Sequence, residues 1–205
     1  MKRIFSLAIM AITFTTSCFS QNISGLTNEI YASYGFFPVG HTASPDLSEG
    51  NNSYGAKFSY LLTNERKSGT LNIGYLHKIS NKVSLGLSYT YSTVSGEVHM
   101  GTSIALANSE IKNHIVLINT KFSWVQKSKF SVYSRLGLGV KFSSKAKFTD
   151  INSLFTPQKQ DGIKRIAWQA SIIGAEWHFT NNLSLFAEGG AGLQGCILTG
   201  AKLHF

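Results

Sequence analysis

The segment NKVSLGLSYTYST, residues 81–93, alternates almost without error: Val83, Leu85, Leu87, Tyr89 and Tyr91 take the odd positions, and Ser84, Gly86, Ser88, Thr90 and Ser92 the even ones. Successive side chains of a strand point to opposite faces, so this run makes a strand with one large apolar face and one small polar face. The same period of two recurs along the chain and predicts eight strands, at residues 29–37, 70–79, 83–98, 111–125, 130–144, 164–179, 183–191 and 195–205. Pro38, Pro45 and Pro157 all fall between these segments.

The connections alternate in length. Residues 80–82, 126–129 and 180–182 are tight polar turns, whereas residues 38–69, 96–110 and 145–163 are long links. Only the last link on the long side, near Gly192, is short. An even number of strands with short turns at one end and long loops at the other is the pattern of an all-β, up-and-down antiparallel barrel that crosses a membrane. Within the first long link, residues 53–62 (SYGAKFSYLL) read as a strand-like extension above the membrane.

A lipocalin-like soluble barrel has the same period with its apolar face turned inward. The distribution of rings and charges separates the two. Trp124, Phe130, Trp177, Phe179 and Phe205 all lie next to the short-turn end, while Tyr34, Phe36, Tyr89, Tyr91, Phe142 and Trp168 lie towards the other strand ends. Two aromatic belts around an aliphatic band match the two interfaces of a bilayer. In FSVYSRLGLGVKFS, Phe130, Val132, Leu136, Leu138, Val140 and Phe142 share one face, and Tyr133, Arg135, Gly137, Gly139 and Lys141 share the other. The second set is a poor soluble exterior and a good filling for a narrow lumen.

One segment breaks phase. In RIAWQASIIGAEWHF, Ile166, Trp168 and Ala170 share a parity, but Ala175, Trp177 and Phe179 need the opposite one. A bulge at Ile172 and Ile173 restores the alternation by one extra residue and turns Glu176 inward. Glu29, Lys121, Arg135, Glu176, Glu188 and Lys202 then all point into the barrel at a similar depth. Three acids facing three bases are expected to form a salt-bridge plug; a gated polar pathway is the alternative.

Composition narrows the class further. Charged residues are 14% of the chain, against roughly 25% in soluble domains. The net charge of +9 is scattered, with no basic tract interleaved with aromatics, so nucleic acid is not expected as a partner. The N-terminal MKRIFSLAIMAITFTTSCFSQ combines Lys2 and Arg3 with a short apolar core and small residues at Cys18 and Ser20. This reads as a signal peptide over residues 1–20, cut before Gln21, with residues 21–205 as the barrel domain. TTSC read as a lipobox, with Cys18 acylated, is the other possibility; Thr15 stands where a large aliphatic residue is usual. After a cut at Gln21, Cys196 is the single cysteine, so no internal disulfide forms.

NEIYASYGFFPVG, GYLHKISNKVSLGLSYTYS, YSRLGLGVKF and FTNNLSLFAEGGAGLQG, with the ending TGAKLHF, resemble the small outer-membrane β-barrel proteins common in Bacteroidetes, broadly similar to the OmpA-barrel, OmpX and opacity-protein group. The resemblance lies in strand pattern and turn phrases and spans nearly all of residues 21–205. It implies the cell outer membrane as location. Phe205, closing an alternating last strand, resembles the terminal aromatic that the barrel-assembly machinery reads.

Candidate chemistry is sparse. No two of the six histidines have metal-binding spacing, and there is no G-x-S-x-G, P-loop or zinc-protease motif, so neither metal nor cofactor is expected. His77 falls on the apolar parity and reads as an interfacial residue. The expected function is a non-enzymatic barrel with a filled lumen and a structural or surface-interaction role. A lipid A-modifying enzyme, with some Ser-His-Glu triad, or a small-solute channel of the same fold is the alternative. Expected partners are outer-membrane lipid and lipopolysaccharide, with residues 142–165 as the best surface for a further ligand, and a monomer is expected.

Overall fold

Alternation along the chain becomes ring closure in space. A computed structural model describes residues 27–39, 50–51, 57–58, 60–100, 104–145, 147–149 and 164–205. Its strands are β1 (Asn28–Phe36), β2 (Gly50–Asn51), β3 (Lys57–Phe58), β4 (Tyr60–Lys67), β5 (Thr70–Lys78), β6 (Val83–Met100), β7 (Ile104–Gln126), β8 (Phe130–Ser143), β9 (Lys147–Thr149), β10 (Lys164–His178), β11 (Leu183–Gly192) and β12 (Ile197–His204). Eight of them, β1, β5, β6, β7, β8, β10, β11 and β12, pair antiparallel in a closed ring. The seam is β1 against β12, with Glu29 opposite His204 and Phe36 opposite Ile197. The backbone of Phe205 completes it, its N–H donating to Asn28 O at 3.0 Å and its carbonyl accepting from Asn28 N at 2.9 Å.

The large apolar face looks outward. Leu85, Leu87 and Tyr89 are exposed on β6 while Ser84, Ser88, Thr90 and Ser92 are buried. The same holds on β8, where Leu136 and Leu138 are exposed and Tyr133 and Arg135 are fully enclosed. Ile118 is 65% exposed and Leu138 67%, an exterior that water would not tolerate over a whole barrel and that hydrocarbon solvates. The protein is therefore a membrane-spanning β-barrel of the outer-membrane type, because closure leaves no unpaired strand edge in the bilayer.

β10 carries the bulge its sequence demands. Ser171 pairs with Arg135 of β8, but the next register pair is Gly174 with Tyr133. Ile172 and Ile173 both face outward, and Glu176 turns in. A second irregularity lies at Trp124 of β7, between Ser123 and Val125. Ser134 of β8 serves both: its hydroxyl donates to the Ile172 carbonyl at 2.5 Å and accepts from the Trp124 indole at 2.9 Å.

Two sequence expectations are corrected at the long-loop end. Residues 96–110, expected as a link, are mostly strand: β6 and β7 continue as a hairpin to Met100 and Ile104. β4 flanks it on one side and β9 on the other, so the backbone is paired, and on β6 the alternation inverts, with Val94 and Gly96 buried and Ser95 and Glu97 partly exposed. Residues 53–62 lie partly outside the described residues; β3 and β4 carry the extended part. The last strand begins at Ile197 rather than at residue 195, because residues 193–196 fold into the lumen. Gly192 and Gly195, at φ 138° and 134°, make that inward turn in a backbone region that L-residues avoid. Residues 1–20, expected as a signal peptide and holding Cys18, and residues 150–163 of the long link lie outside the described residues.

The charged lumen as candidate functional site

The small inward-facing residues leave room for a few large polar ones. Gly74 and Gly174 sit directly across from Tyr31 and Tyr133 on the neighbouring strands. Each tyrosine ring lies flat against its glycine, and a Cβ at Gly174 would stand 2.6 Å from the Tyr133 ring. The rings are thereby laid across the lumen, where charged side chains pack on them.

The six predicted charges meet there in two groups. Arg135 is 1% exposed and engages Glu188 through Nη2 at 2.6 Å and Nε at 3.1 Å. Its Nη1 donates to Tyr31 Oη at 2.9 Å, to Asn119 Oδ1 at 3.2 Å and to Gln194 Oε1 at 3.0 Å. Glu188 also accepts from Tyr133 Oη at 2.8 Å and Ser171 Oγ at 2.6 Å. On the short-turn side of Tyr133, Lys121 Nζ contacts Glu29 at 2.8 Å and Glu176 at 3.4 Å. Lys202 Nζ contacts Glu176 at 2.9 Å and Glu29 at 4.0 Å. Both ammonium groups lie over the Tyr133 ring, at 4.6 and 4.1 Å from its centroid. Charges this enclosed persist only when paired and hydrogen-bonded, and these are.

Sequence reasoning missed the residue that closes the other half. Gln194, in the inward turn after β11, donates through Nε2 to Ser88 at 3.1 Å and Thr90 at 2.9 Å and accepts from Arg135. Its backbone N–H donates to Gln169 Oε1 at 2.9 Å, and its carbonyl accepts from the Thr70 hydroxyl. Leu193 beside it packs on Ile115, Leu117 and Ala167, a dry patch inside the lumen. The only signal for it was the pair of glycines that lets the turn reverse inward.

At the short-turn mouth, Glu176 Oε1 accepts from Ser184 Oγ at 2.6 Å and lies 2.8 Å from His204 Nε2. Ser184 Oγ is 2.9 Å from that same nitrogen. A hydrolytic triad needs serine on one imidazole nitrogen and the carboxylate on the other, so that a proton passes through the ring. Here both meet Nε2, so the three residues cannot relay a proton in that way. His77 lies near the rim, its Nδ1 at 3.0 Å from Asn28 Oδ1, which also accepts from Tyr75 Oη at 2.7 Å. The aromatic residues expected at this end, Trp124, Phe130, Trp177, Phe179 and Phe205, are all exposed on the barrel's outer face.

No protein-family model matches the sequence, and no curated protein matches it. Among solved structures, the N-terminal β-barrel domain of Pseudomonas aeruginosa OprF aligns at 16% identity and a TM-score of 0.46, over 88% of this chain and 98% of that one. Pseudomonas aeruginosa OprG aligns at 15% identity and 0.44, over 90% and 99%. Ail, the attachment invasion locus protein of Yersinia pestis, aligns at 16% identity and 0.42, over 88% and 100%.

Proposed function

We propose that this chain is a non-enzymatic outer-membrane barrel whose lumen is closed by side chains, and that its role is structural or one of surface interaction through its long-loop end. The observation that carries the reading is the doubly layered network, Arg135–Glu188 above Tyr133 and Lys121, Lys202, Glu29 and Glu176 below it. A channel needs a continuous wet path, and here Arg135, Tyr133, Glu188 and Gln194 are all buried and in mutual hydrogen-bond contact. The shared nitrogen of His204 argues in the same direction against hydrolysis of lipid A. Kinship with the small Bacteroidetes barrels, contact with lipopolysaccharide, recognition of Phe205 by the assembly machinery and a monomeric state complete the proposal.

Two measurements test it. Purified barrel in planar bilayers is expected to give no stable conductance steps, and reproducible wild-type channels would overturn the plug. Lipid A mass spectra from deletion and overexpression strains are expected to match the parent. A change in acyl number would overturn the non-enzymatic assignment.

A further inference from the structure

Glu176, His178 and His204 bring three ligand atoms to within 4.8 Å of one another at the short-turn mouth. Glu176 and His178 are two residues apart on β10, so both face inward, and His204 reaches them from β12 across β11. Glu176 Oε1 lies 2.8 Å from His204 Nε2 and 3.9 Å from His178 Nδ1. We propose that these three residues form a binding site for a divalent transition metal, with Zn²⁺ as its representative.

The donor set fits. Two imidazoles and a carboxylate make a three-protein-ligand zinc site with a fourth position left open. Bond lengths of about 2.0–2.2 Å in tetrahedral geometry separate neighbouring donors by roughly 3.3 Å, between the two spacings seen here. Small rotations of the two half-buried histidines suffice, and both border a cavity of about 270 Å³ that gives ions access. The carboxylate is already oriented. Lys202 holds Oε2 at 2.9 Å, leaving Oε1 to face the imidazoles, while Ser184 Oγ lies 2.6 Å from Oε1 and 2.9 Å from His204 Nε2, touching both ligand atoms. Such outer contacts fix a metal ligand in place. Nitrogen donors favour zinc, copper and nickel over calcium and magnesium. Glu29 offsets part of the charge of Lys121 and Lys202, which also share Glu176 with the metal. Lys121 and Lys202 still oppose a dication, so micromolar rather than tighter binding is expected. Bound metal would clasp β10 to β12 at the end where the lumen opens. The proposal is independent of whether the lumen conducts.

Calorimetric titration of ZnCl₂ into untagged, folded full-length barrel tests it. One Zn²⁺ per chain is expected. His178→Ala and His204→Ala should each weaken binding by at least about tenfold, while His77→Ala and His114→Ala should leave it unchanged. Heat-modifiable migration on a cold gel verifies folding, and His178→Ala, whose nearest carboxylate oxygen is 3.9 Å away, removes no short hydrogen bond. Absence of wild-type binding up to about 1 mM Zn²⁺, or binding that survives both site variants, would overturn the assignment.

Discussion

Glu188→Leu removes a charge and an acceptor while nearly preserving volume, and its effect can be worked from the contacts. Glu188 receives Arg135 Nη2 at 2.6 Å, Arg135 Nε at 3.1 Å, Tyr133 Oη at 2.8 Å and Ser171 Oγ at 2.6 Å. The two hydroxyls can rotate towards other acceptors. The guanidinium cannot lose its proton, and it stays charged with only its Nη1 contacts satisfied. Leaving one member of a buried pair without the other costs about 3–5 kcal/mol. The double change Arg135→Met with Glu188→Leu deletes both charges and refills the space with apolar atoms, so it should cost only about 0–2 kcal/mol. Urea titration of the four members of this cycle, folded into lipid vesicles and followed by tryptophan fluorescence, gives the coupling directly. A single-variant cost under about 1 kcal/mol, or a double variant as unstable as the sum of the singles, would refute the account of the network.

Leu87→Arg places a cation on the lipid-facing surface, where Leu87 is 56% exposed, and should cost about 2–4 kcal/mol in the same titration; a cost near zero would contradict the orientation of the apolar face. Gln194→Ala removes one bond each from Ser88, Thr90 and Arg135 Nη1, all of which keep other partners, and should cost about 1–3 kcal/mol, while the charges below it keep the barrel non-conducting in planar bilayers. In a Cys196→Ser background, Lys147→Cys should react with an impermeant maleimide on intact cells and Asn181→Cys should not; equal labelling would reverse or void the topology. Phe205→Ala keeps the backbone bonds to Asn28 but loses the ring, so the heat-modifiable band from outer membranes should weaken; an unchanged band would rule out the ring as an assembly signal.

Much of the barrel was legible because its exterior solvent is hydrocarbon. Lipid favours apolar residues at alternate positions of β6, β8 and β12, interrupted only at Ser134 and Thr199 in the spanning parts of β8 and β12, and a run such as Leu85, Leu87, Tyr89 reports its own direction. The bulge in β10 was legible for the same reason: two adjacent outward isoleucines are the cost of keeping Trp177 at the interface and Glu176 inside. β7 was harder to read, since Ile115 and Leu117 face inward between Val116 and Ile118 facing out. Above the bilayer the lipid constraint ends and the alternation on β6 inverts, with Val94 and Gly96 inward and Ser95 and Glu97 outward, so the β6–β7 hairpin lacks the outward apolar face that marks the spanning strands. The charged inward residues followed from parity, with the β10 bulge needed for Glu176. Gln194 did not, because a turn has no parity, and the grouping of His204 with Glu176 spans 28 residues of chain and the width of one intervening strand.

The lumen network also says something about the order in which the chain folds. Arg135 Nη1 meets Tyr31 across a separation of 104 residues, and Gln194 meets Ser88 across 106. Neither contact exists in any hairpin or in a flat sheet; each joins strands four places apart round the ring, so both need the sheet curled until opposite strands face each other. Contacts this remote in sequence are reached only after the chain between them is in place. The bonds that cross the lumen thus form late, as the sheet curls shut, whereas Arg135–Glu188 and Lys202–Glu176 each span one intervening strand and can form before the seam closes. Before that moment the inner face is an open sheet, still exposed to water. A half-built ring gains only the pairs between near strands, and the finished one adds the bonds across the lumen that involve Tyr31 and Gln194, so the interior acts as a latch that rewards complete closure.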